Sequence, residues 1–148
     1  MKTNEVYSHI HKQIPVMMVL SLLPGLGYIF LGWLNDNVIP ALYWYFAVVL
    51  VSIRGYGLYK NFDLGVMGEP QLDSWYKKTS VIFYCFFLIW LAIFLIYIPE
   101  SKSGMHYIAI FTEIGASTVA AALLFPDKKL YKPIIWLLIV PLVIYFSL

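Results

Sequence analysis

Charge is scarce in this chain: Asp, Glu, Lys and Arg make up 12% of its 148 residues, and no run of like charges exceeds two. The net charge of +2 is too small for a nucleic-acid footprint. The short runs exclude a contiguous polybasic lipid clamp and an acidic tail. Cysteine is almost absent, since Cys85 stands alone inside an apolar run; this excludes an intrachain disulfide and a thiolate metal cluster. No nucleophile, base and orienting group occur in a recognisable pattern, and no hydrolase, kinase or metal motif is complete. The sequence therefore implies no enzymatic activity, no cofactor and no metal site.

What fills the chain is hydrocarbon. Hydrophobic residues account for 61% and the mean hydropathy is +0.79, far from the composition of a soluble domain. Five apolar segments recur, at Ile14 to Trp33, Val38 to Ile53, Thr79 to Ile98, His106 to Phe125 and Ile134 to Leu148. Most approach the ~20 residues needed to cross ~30 Å of hydrocarbon. The expected fold is an all-α, polytopic transmembrane bundle forming a single domain, with the lipid bilayer as its solvent. The apolar stretch after Lys2 and Lys12 has no small-x-small cleavage site, so it reads as a retained first helix.

Basic residues set the expected orientation. Of the ten Lys and Arg residues, nine precede the first segment or lie in residues 54–78 and between the fourth and fifth segments; only Lys102 falls on the other side. The positive-inside rule then puts the N-terminus and the 54–78 loop in the cytoplasm, as in a bacterial inner membrane, and Leu148 outside. Trp33, Trp44, Tyr97 and Tyr107 are expected at the outer boundary, and Trp75, Tyr76 and Tyr131 at the inner one. Within the loop, "GEPQLDSWYKK" carries Pro70 and acidic residues early and lysines late, the polarity of a helix leading into the third segment. The fifth segment, at fifteen residues, reaches only ~22 Å, which suggests the front part of a longer protein with a sixth helix.

Two features stand out against the apolar background. In "LLPGLGYIFLGW", Pro24 removes a backbone donor and Gly25 and Gly27 lower the cost of bending or close approach, so a hinge or packing notch is expected there. In the fourth segment, Ala109, Glu113, Ala116 and Ala120 fall within about 60° of one another around a helix, with His106 on the same side. Glu113 thus sits on a helix-packing face of small residues. An acidic residue at mid-span costs ~2.5–3.5 kcal/mol on insertion scales, which calls for a paired, protonated or water-contacting carboxyl. Arg54 differs from it by ~13 Å in depth, so Ser21, Thr112, Ser117, Thr118 or a tyrosine hydroxyl is the better partner by type. Glu113 and His106 are candidate sensing or ion-site residues, but at ~10 Å apart along the helix they are too far apart to share a metal. The "HIHK" of His9 to Lys12 has two histidines and no third ligand, and reads as a polar helix flank.

The phrases "LLPGLGYIFLGW", "PALYWY", "ESKSGMHYIAIFTEIGASTVAAALLFPDKKLYKP" and "VPLVIYF" together resemble the N-terminal multi-pass membrane input regions of bacterial signalling proteins such as diguanylate cyclases. That resemblance implies a non-enzymatic sensory domain passing a signal to a cytoplasmic module beyond Leu148. A proton- or ion-coupled transporter or channel subunit, with Glu113 as the ion site, and a structural subunit bound to another membrane subunit are the alternatives.

Overall fold

A computed structural model of the chain describes residues 3–98 and 104–147; Lys2, Lys102 and Leu148, used in the charge and length reasoning, lie outside them. Five helices follow one another: α1 (Thr3–Leu34), α2 (Val38–Lys60), α3 (Glu69–Tyr97), α4 (Gly104–Leu124) and α5 (Lys128–Ser147). Each is long and apolar enough to cross a membrane. The fold is an all-α, multi-pass membrane bundle. Its outer surface carries large apolar side chains such as Leu23, Phe46, Phe111 and Trp136, which in water would be an aggregation surface and in lipid is the expected face.

The helices run further than hydropathy alone indicates. Residues 54–78 are not one loop: α2 continues to Lys60 and α3 starts at Glu69, leaving 61–68 as the connection. Gly68 precedes α3, its amide donating to the Gln71 side chain at 3.2 Å, and Pro70 stands where a helix has a free first-turn position. The expected helix at "GEPQLDSWYKK" is therefore the first part of α3 itself. Likewise α5 begins at Lys128, six residues before Ile134, because Asp127 caps it. The Asp127 Oδ1 accepts from the backbone amides of Lys129 and Leu130 at 3.1 and 3.3 Å, which satisfies donors that a helix start leaves free. Twenty helical residues reach about 30 Å, so the apparent shortness of the fifth segment disappears.

α3 is the hub. It packs against α2 and α4, and touches α1 and α5; α1 pairs with α2 and α4 with α5, while α2 meets neither α4 nor α5. Aromatic donors fasten these contacts. Trp44 donates from α2 to the Ile89 carbonyl of α3, Trp75 from α3 to the Leu58 carbonyl of α2 at 2.9 Å, and Trp90 to the Ser21 hydroxyl of α1 at 3.0 Å. Trp44 and Trp75 are each only 4% exposed and Tyr97 is fully buried, so these three pack inside the bundle. Trp33 and Tyr107 are exposed. A buried indole N–H needs an acceptor, and carbonyls and hydroxyls on neighbouring helices supply it.

α1 and α2 are joined by a tight turn. Asp36 adopts a left-handed φ of 55°, and the Asn37 amide donates back to the Gly32 carbonyl at 2.8 Å. A Cβ on Gly32 would lie 3.0 Å from the Asn37 oxygen and 3.2 Å from Ala41, so the turn can close this tightly only with glycine there.

Candidate functional site

Glu113 is completely buried, and neither of its carboxyl oxygens has a hydrogen-bond partner among the described residues. It lies on the face of α4 that also buries His106, Ala109, Ala116 and Ala120. The helical period that aligns these residues in sequence is what turns the carboxyl inward. Three of the expected partners are engaged with their own helix. Thr112, Ser117 and Thr118 each donate to the backbone carbonyl four residues back, at 2.7, 2.9 and 3.0 Å, a common resort of hydroxyls inside apolar helices. The Ser21 hydroxyl accepts from Trp90. Arg54 is exposed on α2, a helix that does not touch α4. An unpartnered buried polar group costs about 1–3 kcal/mol, and more when charged.

Beside this face lies a cleft of about 250 Å³ between α1 and α4, floored by α3. Leu20, Pro24 and Tyr28 line it from α1, Trp90 from α3, and Thr112 and Ala116 from α4. Tyr28, Trp44 and Trp90 form an aromatic cluster with ring separations of 5.1 to 6.0 Å. Thr112 and Ala116 flank Glu113 along the chain, but a one-residue step turns a helical side chain by about 100°. Thr112 therefore points away from Glu113, and the carboxyl is not among the lining residues although Ala116, on its own face of α4, is.

His106 is buried and ties three elements together. Its Nδ1 lies 2.8 Å from the Ile98 carbonyl, and its Nε2 2.9 Å from the Tyr145 hydroxyl of α5. A carbonyl can only accept, so Nδ1 carries the ring proton and Nε2 accepts from Tyr145. This is a fastening role for a residue placed, from sequence, at the outer interface. Among the described residues no three His, Cys, Asp or Glu side chains gather closely enough to hold a metal. His9 and His11, two residues apart and so about 200° apart around α1, separate completely. His9 donates to the Leu123 carbonyl of α4 at 2.8 Å, and His11 to the Tyr59 carbonyl of α2 at 3.1 Å, with its ring stacked between Tyr59 and Phe62.

The glycines of the first helix divide in the same way. α1 passes through Pro15 and Pro24 as one helix. At Gly25 a Cβ would stand 2.6 Å from Cδ2 and 2.7 Å from Cε2 of Tyr45, and 3.2 Å from Trp44, whereas at Gly27 it would meet nothing within 4 Å. Gly25 is a packing notch that admits the α2 aromatics, and Gly27 faces outward. The sequence reading missed Asp127, although a Pro-Asp pair just before an apolar run is a helix-start signal. It also missed Tyr145, for which a lone tyrosine in an apolar segment carries no local signal.

Comparison with known proteins leaves the site to speak for itself: no protein-family model matches the sequence, and no curated protein or solved structure is significantly similar to it.

Proposed function

We propose that this multi-pass bundle is a sensory or regulatory membrane domain, without enzymatic activity of its own, which passes a signal through helix packing to a cytoplasmic output module. The observation that carries the reading is the Glu113 carboxyl, fully buried with two unpartnered oxygens on the Ala-lined face of α4. A polar group left without a partner is a store of free energy that a ligand, ion or proton can release. Relief of about 1–3 kcal/mol in one packing of α4 and not in another shifts the balance between the two by roughly 5- to 150-fold. Small residues at Ala109, Ala116 and Ala120 let α4 move against its neighbours without steps in side-chain volume. The resemblance to membrane input regions of diguanylate cyclases gives the direction of signalling. In cells expressing the full-length protein, Glu113→Gln and Glu113→Ala, at matched membrane levels, change the second-messenger output. Wild-type output from both variants overturns the reading.

The same orphan carboxyl also favours a second reading, a proton- or ion-coupled transporter or channel subunit with Glu113 as its ion site. Flux measured in proteoliposomes separates the two. Ion or proton movement above empty vesicles that is lost in Glu113→Gln supports transport, and flux no greater than in empty vesicles removes it.

A further inference from the structure

At the basic end of the bundle, α1, α3 and the α4–α5 turn enclose an open cavity of about 580 Å³. Lys77 enters it from α3, and Lys128 and Lys129 enter from the first turn of α5. The acidic residues in the same wall are already engaged. Asp73 accepts from the Tyr7 hydroxyl at 2.7 Å, while Asp127 accepts from the Tyr76 hydroxyl and from the two backbone amides it caps. Asp127 is only 4% exposed, and Tyr7 packs on Tyr76 with ring centroids 5.6 Å apart. Asp127 is thus turned into the helix contacts, whereas Asp73 is exposed at the cavity wall, and the lysines there outnumber the acids three to two. The three lysines are exposed, and none has an ion pair among the described residues.

Position completes the chemistry. Lys77 stands two residues before the apolar run of α3, and Lys128 opens α5, so the three lysines line the cavity at the polar ends of two apolar segments. Phe125, 65% exposed, lies in the same turn and offers an apolar surface to an acyl chain. Basic pockets between helices on the cytoplasmic side are the recognised form of anionic headgroup sites. No contiguous basic run exists in the sequence; the fold assembles one from positions fifty residues apart in the chain.

We infer that this cavity binds the phosphate group of an anionic membrane lipid, held by Lys77, Lys128 and Lys129. A lysine near the membrane surface contributes about five-fold in affinity, so the three together contribute on the order of 100-fold. The test uses the purified full chain in neutral detergent, with phosphatidic acid, cardiolipin and phosphatidylcholine as probes and bound lipid counted by native mass spectrometry. Wild type retains the two anionic lipids over phosphatidylcholine. The Lys77→Gln/Lys128→Gln/Lys129→Gln variant loses that preference by about 100-fold. A charge-matched variant outside the cavity, Lys12→Gln/Lys60→Gln/Lys78→Gln, keeps it within about three-fold. Equal loss in both triple variants assigns the preference to diffuse surface charge and overturns the site, as does equal retention of all three lipids by wild type. Inorganic phosphate, added at fixed ionic strength, distinguishes the source of the anion. Failure to displace the lipid supports a headgroup site, whereas displacement at submillimolar phosphate overturns the lipid assignment in favour of a soluble phosphate.

Discussion

Gly25→Ala, set against Gly27→Ala, isolates one packing contact. Both substitutions add a single methyl to α1, and both gain the same helix preference of alanine over glycine, about 0.8–1 kcal/mol on aqueous scales. That gain cancels in the comparison. At position 25 the new Cβ lies 2.6 and 2.7 Å from two Tyr45 ring carbons, and at position 27 it meets nothing within 4 Å. Relaxed carbon contacts need about 3.5–4.0 Å, so the Tyr45 ring has to retreat by about 1 Å. Behind it Trp44, 3.2 Å from the same methyl, is pinned by its donation to the Ile89 carbonyl and by an edge contact on Trp90 at 5.1 Å. Overpacking of this kind costs about 1–3 kcal/mol. Gly25→Ala should therefore be less stable than Gly27→Ala by that amount, measured by SDS titration of the micelle-solubilised protein followed by circular dichroism. In a Tyr45→Ala background the penalty at position 25 should largely vanish, as the coupling of neighbours requires. A difference below about 0.5 kcal/mol between the two alanine variants, or a penalty undiminished by removal of the Tyr45 ring, refutes the notch.

Three further substitutions test the α4 face and its contacts in the same unfolding assay. Glu113→Met replaces an unpartnered carboxyl with an apolar side chain of similar volume, and should stabilise the bundle by about 1–3 kcal/mol while, on the sensory reading proposed above, removing the signalling response; destabilisation would reveal a partner for the carboxyl. Tyr145→Phe removes the hydroxyl that donates to His106 and should cost about 0.6 kcal/mol, at most about 1.7, the range for hydrogen bonds between membrane helices. Tyr107→Phe, whose ring touches His106 only edge-on, should be neutral, and equal costs for the two tyrosines would dismiss the Tyr145 bond.

Much of the membrane architecture is legible in the residues because the bilayer imposes simple rules. Apolar length locates five spans, and the 3.6-residue period puts Glu113 with Ala109, Ala116 and Ala120 on one buried face whatever the neighbours are. Helix ends are less legible. Hydropathy falls before the helix stops, as at Arg54 to Lys60 and Glu69 to Lys78, since hydrogen bonding within the helix continues into the polar zone at no cost in buried charge. The capping role of Asp127 could have been read from its sequence, and it moves the start of α5 by six residues.

Composition, period and charge by themselves determined that this is a five-helix membrane bundle with an acidic residue facing inward. Only the tertiary structure decided which groups meet. Whether Glu113 has a partner depends on which helices adjoin α4, and the hydroxyls of Thr112, Ser117 and Thr118 are bonded to their own backbone. Trp44, Trp75 and Tyr97 carry the same sequence signal as the exposed Trp33 and Tyr107, and only the neighbouring helices make them fasteners. Gly25 and Gly27 differ only in what faces them, and Lys77 joins Lys128 and Lys129 only because α3 passes the α4–α5 turn. These are contacts between segments far apart in the chain, and no local pattern of residues encodes a distance across a bundle.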